Sequence, residues 1–364
     1  MVFTVLIYSF VLILSTGLSF FQRNLRSLKD YRNSYKLIAL VPIILISSFK
    51  GNLVGTDSYN YFEFFSEIKV SDFTGFLDYL LINLLYVEPL YYFSQWILKY
   101  LNADYRVFLI FIYSFIWGSI YYASKNHIKY FYHVLFFSLT LGYMFFSFNG
   151  VRQSIALAIV FVAVNYLIKS NNKKFFLTIF VAFLFHYSAI LLIPIIWLIS
   201  KINIEKEYWI IIITLAFLFP ANIFYFPIQY IFSYIPRYSH YINDVIQYNY
   251  GISTITYGVF LNYIVVLLPL LYFKISKINS YNKLIFNISF TGAVLYIIFS
   301  GNVIFSRFVT YFTFFQIFQY SLIFDYLAQK NKIIDKIILS SFFFIYFLIK
   351  IFVNDSGVTP YNFL

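Results

Sequence analysis

Apolar runs separated by short polar segments repeat along nearly the whole chain. A helix needs about 20 predominantly apolar residues to cross the hydrocarbon core of a bilayer. The runs that approach this length cover residues 1–21, 37–49, 108–123, 131–148, 155–168, 175–198, 257–273, 284–300, 308–327 and 337–353. The pattern therefore predicts an all-α, polytopic transmembrane helix bundle of about 10–12 spans, organised as a single integral membrane domain over residues 1–364.

Residues 51–105 depart from this pattern. They contain two shorter apolar pieces, 76–87 and 90–101, which are separated by Glu88 and Pro89. Proline cannot continue a helix, and it also keeps the residue before it out of the helical region. We therefore expect two short or interfacial helices in this region.

Residues 208–235 are a second exception, because prolines interrupt them. Either two crossings or a re-entrant arrangement fits this pattern. The segment 226–256 includes a stretch rich in Tyr, Asn and Ser, which is typical of a loop outside the bilayer core.

The composition supports a membrane location. Hydrophobic residues make up 62% of the chain and charged residues only 11%, whereas a soluble domain has about 25% charged residues. So few charges cannot cover a water-facing surface, and lipid is therefore the expected solvent. The chain has no cysteine, which excludes a disulfide framework and a thiolate nucleophile.

The net charge of +12 does not indicate nucleic-acid binding, because the basic residues form no continuous stripe. They lie in short clusters between apolar runs, at residues 23–36, 125–129, 169–174, 274–283 and 330–336. Since Lys and Arg concentrate in cytoplasmic loops, these clusters place both termini and the loops 51–105 and 226–256 at the outer face. No basic segment precedes residues 1–21, so we expect a retained first span instead of a cleaved signal peptide.

Two carboxylates lie in the predicted outer loop 51–105. Asp57 follows a Gly-Thr pair, and Glu88 precedes an apolar helix. Acidic residues are favoured at helix N-termini, so both residues are candidate helix caps. A carboxylate among aromatic residues is also a candidate general base or sugar-hydroxyl ligand. The sequence leaves both interpretations open.

Arginines also lie at the outer ends of predicted spans, where the positive-inside rule does not explain them. Arg152 opens a long apolar helix, where its charge faces the positive end of the helix dipole and is unfavourable unless an anion compensates it. A guanidinium beside exposed helix N–H groups is a candidate phosphate site; a salt bridge to Asp57 or Glu88 is the structural alternative. Arg307 repeats this pattern, and Arg237 is a weaker candidate. Together they indicate an anionic ligand, such as a lipid pyrophosphate, near the outer face.

His186 lies within the apolar run 175–198. About a dozen residues separate it from Lys174, which places it slightly beyond the middle of the bilayer at 1.5 Å per residue. A buried histidine is usually a hydrogen-bonded structural residue, but polar groups within membrane spans are often functional.

These clusters, in this order, resemble the EpsG-like family of Wzy-type O-antigen and exopolysaccharide polymerases. The motifs that support the resemblance are Gly55-Thr56-Asp57 with Tyr59 and Tyr61, Glu88-Pro89, residues 149–156, His186-Tyr187-Ser188-Ala189 and Ser306-Arg307-Phe308. The resemblance extends over about residues 51–315 and leaves the loop 226–251, which we expect to set substrate choice, unconstrained.

The resemblance implies glycosyl transfer between two undecaprenyl-pyrophosphate-linked glycans at the outer face of the bacterial cytoplasmic membrane, with no nucleotide sugar, metal or other cofactor. Arg152 and Arg307 would neutralise the leaving pyrophosphate, where charge develops in the transition state. His186 would add a hydrogen bond to it, and Asp57 or Glu88 would deprotonate or orient the acceptor hydroxyl.

Further expected substrate-binding residues are Gln153, Tyr59, Tyr61, Tyr187 and Arg237. The implied partners are the donor and acceptor glycans, membrane lipid and a chain-length-regulating membrane protein, without nucleic acid.

Three other functions compete with this interpretation. The first is a membrane glycosyltransferase that uses a polyprenyl-phosphate monosaccharide. The second is a transporter of lipid-linked oligosaccharides, although a transporter would show paired halves with matching broken spans. The third is a membrane acyltransferase with His186 as base, which leaves the outer arginines unexplained.

Overall fold

The computed structural model describes residues 1–21, 37–68, 73–83, 86–218, 257–299 and 303–363. Within these ranges the regular structure is helical, apart from an isolated β-bridge between Lys50 and Phe363. The α-helices, numbered in chain order, are α1 (Val2–Phe21), α2 (Val41–Ser48), α3 (Ser58–Glu67), α4 (Phe73–Ile82), α5 (Pro89–Tyr100), α6 (Tyr105–Ser124), α7 (Phe131–Thr140), α8 (Tyr143–Asn149), α9 (Val151–Ile168), α10 (Asn172–Phe185), α11 (Leu192–Lys201), α12 (Lys206–Leu218), α13 (Tyr257–Leu267), α14 (Ser280–Phe299), α15 (Val303–Thr313), α16 (Gln316–Gln329) and α17 (Ile333–Phe352). Short 3₁₀ helices occupy Tyr187–Leu191, Leu268–Lys277 and Asp355–Gly357. The predicted all-α class is confirmed.

Among the described residues, five helical segments are long and apolar enough to cross a bilayer. They are Val2–Phe21, Tyr105–Ser124, Val151–Ile168, Phe260–Lys277 and Ser280–Phe299. The bent pair α7–α8 gives a sixth if it is counted as one span. Helix α17 also has 20 residues but contains Asp335 in its first turn and Lys350 in its last. The chain is a multi-pass membrane protein, and its other predicted spans consist largely of shorter helices.

The two short helices expected within residues 51–105 are present as α4 and α5, and α3 precedes them. Pro89 occupies the first position of α5, where its missing N–H costs no intrahelical bond. The second exceptional region, residues 208–235, lies mostly outside the described residues. Its described part, residues 208–218, belongs to α12.

Several spans predicted as continuous are interrupted. The run 131–148 bends by 56° between α7 and α8, where Gly142 adopts a φ of +86° that favours glycine. The run 308–327 divides into α15 and α16. These breaks leave the apolar content unchanged, and hydropathy therefore did not predict them.

The run 175–198 is also interrupted, and the prediction that His186 lies within a helix is wrong. Helix α10 ends at Phe185, and His186 is extended, with φ −159° and ψ 115°. The 3₁₀ helix and α11 follow. His186 therefore lies at a helix end, where its side chain is directed by the break and not by helical periodicity.

The chain divides into two compact units, one formed by Met1–Ile193 with Tyr320–Leu364 and the other by Pro194–Gln319. In the first unit α9 is buried on almost every side and packs against α6 and α10, as expected for a helix that is apolar all round. Asp104 caps α6 by accepting a hydrogen bond from the Val107 N–H at 2.9 Å. In the second unit α14 packs against α12, α13 and α15.

Candidate functional site

Three helix ends in the first unit position the candidate site. Glu88 precedes α5, Arg152 lies in the first turn of α9, and His186 follows α10. Glu88 is extended, with φ −71° and ψ 119°, because the proline after it disfavours helical dihedral angles. Its carboxylate makes no capping bond to α5, so the capping interpretation of Glu88 is wrong.

The Glu88 carboxylate contacts both of the other side chains. Its Oε2 accepts a hydrogen bond from Arg152 Nη1 at 2.5 Å, and its Oε1 lies 3.2 Å from His186 Nδ1. The Glu88 side chain is only 1% exposed. A buried carboxylate requires such compensation, because desolvation otherwise disfavours its charge. We call Glu88, Arg152 and His186 the Glu88 cluster.

The contact with Glu88 favours one tautomer of His186. An ionised carboxylate only accepts hydrogen bonds, so Nδ1 holds the proton in the neutral imidazole. The lone pair is then on Nε2. This arrangement is that of a base held in orientation by a carboxylate.

Two tyrosine rings flank the guanidinium of Arg152. Its Cζ lies 5.9 Å from the ring centroid of Tyr61 and 5.9 Å from that of Tyr91, within the range of cation–π attraction. The Arg152 side chain is 33% exposed. A guanidinium has five N–H donors, and the bond to Glu88 uses one of them. The salt bridge considered from the sequence is therefore present, and it is compatible with an additional anionic ligand.

Asn149 connects the cluster to the loop that contains Asp57. The Tyr61 hydroxyl donates to the Asn149 carbonyl at 2.8 Å, and the Asp57 N–H donates to Asn149 Oδ1 at 3.3 Å. Asn149 Nδ2 donates to the Ser356 carbonyl at 2.5 Å. Gly55 lies against this side chain with a φ of +105°, and a Cβ there would be 2.7 Å from Asn149 Oδ1.

The C-terminal segment completes this scaffold. The Gly55 N–H donates to the Gly357 carbonyl at 2.8 Å. Beneath the same loop, Lys50 Nζ donates to the Val54 carbonyl at 2.9 Å and to Ser58 Oγ at 2.5 Å. Burial lowers the pKa of Lys50 to about 7, since desolvation disfavours the ammonium.

The first unit also contains the predicted residues Tyr187, Gln153, Asp57 and Tyr59. The Tyr187 hydroxyl donates to the Val87 carbonyl at 2.8 Å, next to Glu88. Gln153 is buried in the first turn of α9. Asp57 is half-buried before α3 and makes no side-chain capping bond to it, so its capping interpretation is wrong. Tyr59 is exposed, with its hydroxyl hydrogen-bonded to Glu63.

The two remaining arginines do not belong to the described part of the first unit. Arg307 is exposed on α15 of the second unit. Arg237 falls outside the described residues. Within the described ranges, no group of three or more His, Cys, Asp or Glu side chains is arranged to hold a metal ion.

Sequence reasoning did not assign roles to Tyr91 and Asn149. Tyr91 is 3% exposed, and burial, followed by the neighbouring Tyr61, raises the pKa of its hydroxyl well above the usual value. Tyr91 lies three residues after Glu88, in the first turn of α5. That spacing was the available sequence evidence for Tyr91, whereas the Asn149 contacts join distant segments.

The sequence pattern of the EpsG family matches residues 33–363, nearly the whole chain, and the chain belongs to this family. The matched range includes all three residues of the Glu88 cluster, and the resemblance inferred from the motifs is confirmed. No curated protein and no solved structure matches the chain.

Proposed function

From membership of the EpsG family, we propose that this chain is a polysaccharide polymerase that joins undecaprenyl-pyrophosphate-linked repeat units by glycosyl transfer at the outer face of the bacterial cytoplasmic membrane. The Glu88 cluster is the observation that supports this reaction best. It holds a guanidinium and an imidazole on one buried carboxylate, which combines an anion-binding group with a group that transfers protons.

Arg152 stabilises the leaving group in this mechanism. The bond between the anomeric carbon of the donor and its pyrophosphate oxygen breaks, and negative charge develops on the pyrophosphate. Guanidinium donors not bonded to Glu88 bind this charge, and a preorganised donor is most effective where charge develops. Glu88, Tyr61 and Tyr91 hold the guanidinium in place before the donor binds.

His186 is the general base in this mechanism. The acceptor hydroxyl forms the new bond to the anomeric carbon while its proton passes to His186 Nε2. Glu88 Oε1, beside Nδ1, orients the ring and stabilises the imidazolium that forms. The sequence left the base open between Asp57 and Glu88; the geometry favours His186 as base and Glu88 as its orienting group.

The basic loops support the outer location. Arg152 and Lys169 lie at opposite ends of α9, whose 18 residues correspond to about 27 Å, close to the hydrocarbon thickness. Since lysine-rich loops are cytoplasmic, the Glu88 cluster belongs at the outer face. Arg307, Arg237 and a chain-length-regulating partner remain part of the proposal on sequence grounds alone.

The test is Arg152→Ala, with Arg152→Lys beside it, in cells whose surface polysaccharide depends on this chain. We expect Arg152→Ala to reduce glycan chains to single repeat units on a sizing gel, with protein abundance in the membrane unchanged. Arg152→Lys should restore chains only in part, because an ammonium lacks the guanidinium fork.

Arg106→Ala is the matched control. Arg106 also opens a helix, α6, but it is exposed and lies over the Phe49 ring at 5.9 Å. Long chains in the Arg152→Ala cells would refute the proposed role of Arg152. Loss of even the single-unit glycan would favour a transporter or a single-sugar transferase, because either one acts before polymerisation.

A further inference from the structure

Four exposed lysines lie at the end of the first unit opposite the Glu88 cluster. Lys125 follows α6, Lys169 follows α9, and Lys173 and Lys174 belong to the first turn of α10. Since α9 packs against both α6 and α10, the three helix ends bring these ammonium groups to one surface. We call these four residues the lysine cluster.

Within the described residues, the four lysines of the lysine cluster lack carboxylate partners. The sequence contains no Asp or Glu between Asp104 and Glu205. Two exposed lysines at other places in the chain do have carboxylate partners: Lys277 pairs with Glu205 at 2.7 Å, and Lys332 pairs with Asp335 at 3.6 Å. Like charges that share a surface repel each other, so an anion bound there is favoured.

Two tyrosines place the lysine cluster at the level of the lipid headgroups. Lys125 Nζ lies 4.2 Å from the Tyr122 ring centroid, and Lys174 Nζ lies 5.8 Å from that of Tyr166. The Tyr122 and Tyr166 side chains are hydrogen-bonded to each other and link α6 to α9. Tyrosines concentrate at the interface between hydrocarbon and headgroups.

The positive charge of the lysine cluster also affects the pKa of a nearby histidine, His127. The pKa of His127 is lowered, first by burial and then by the charge of Lys169. This effect agrees with the local excess of positive charge on the described residues.

We propose that the lysine cluster binds the phosphate of an acidic phospholipid headgroup between the ends of α6, α9 and α10. The phosphate is the anion that a bilayer supplies at this depth, and basic surfaces between transmembrane helices bind acidic headgroups. The acyl chains of such a lipid lie along the exposed apolar side chains near these helix ends, which include Phe176 and Leu177 on α10.

The test uses the full chain purified in detergent and titrated with phosphatidylglycerol, phosphatidylcholine or inorganic phosphate. Bound lipid is counted by native mass spectrometry, and thermal unfolding is recorded in parallel. We expect phosphatidylglycerol alone to bind and raise the melting temperature. Lys125→Gln with Lys174→Gln should weaken its binding by roughly 10- to 30-fold, since each lysine near an acidic headgroup contributes appreciably.

A matched double variant, Lys277→Gln with Lys332→Gln, removes the same charge from exposed lysines that have carboxylate partners and should leave lipid binding unchanged. Lys125→Arg with Lys174→Arg should retain it. Equal loss in both Gln pairs, equal binding of phosphatidylcholine, or the same stabilisation by inorganic phosphate would overturn the proposal. Lipid binding and thermal unfolding do not depend on polymerisation, so the outcome of this experiment is independent of the proposed function.

Discussion

Glu88 determines the arrangement of the candidate site at the level of single residues. Both of its oxygens have basic partners, Arg152 and His186, and its side chain is almost completely buried. Because a buried carboxylate is stable only when it is paired, the contacts that stabilise Glu88 also position the two groups to which the proposed mechanism assigns leaving-group binding and proton transfer.

Glu88→Gln tests this role. The amide nearly preserves the shape of the side chain but removes the charge that orients His186 and Arg152. We expect the polymerisation rate of the purified protein to fall by about 100-fold or more, because a misoriented base loses its catalytic effect. The rate is measured with a lipid-linked repeat unit, together with the amount of folded protein.

Glu67→Gln is the control for this substitution, since Glu67 is exposed at the end of α3. Glu88→Asp retains the charge on a shorter side chain and should recover part of the rate. If Glu88→Gln polymerised at the wild-type rate, Glu88 would not orient the base.

Among the secondary-structure elements, helix ends and close approaches between helices matter most. Glu88 precedes the start of α5 and His186 follows the end of α10, and these two helix ends bring the two polar side chains into contact. In the second unit, Gly292 allows α14 to approach α15 closely: a Cβ there would be 2.8 Å from the Phe312 carbonyl carbon. Small residues serve this purpose at many transmembrane interfaces.

Gly292→Ala should therefore destabilise the protein by about 1–3 kcal/mol, because the added methyl meets the backbone of α15, which cannot move aside alone. Gly118→Ala is the matched control within α6, since nothing lies within 4 Å of its Cβ position. This control should be neutral or stabilise by up to about 1 kcal/mol. Thermal unfolding in detergent measures both, and equal melting temperatures for the two variants would contradict the packing argument.

For the whole molecule, the main prediction is the orientation in the membrane. The chain contains no cysteine, so an introduced cysteine is the single labelling site. Asn60 lies on α3 near the Asp57 loop, Asn172 lies beside the lysine cluster, and both are exposed. We expect a membrane-impermeant maleimide to label Asn60→Cys in spheroplasts and Asn172→Cys only after permeabilisation. The opposite result would place the Glu88 cluster at the cytoplasmic face.

The sequence was sufficient to identify the membrane class, the family and all three residues of the Glu88 cluster. Hydropathy and motif order are properties of local sequence, and they can be read without knowledge of the fold. Roles were harder to predict. Glu88 was considered as a cap or a base, whereas its contacts with Arg152 and His186 favour an orienting group.

Tertiary structure alone decided the helix breaks and the pairings across the site. The Glu88 contacts join residues that are 64 and 98 positions apart, and Asn149 meets Ser356 across 207 positions. Apolar sequence continues through the break at His186, so its position depends on packing and not on composition. Local sequence determines which segments enter lipid, but the cost of burying a charge determines which polar side chains must meet there.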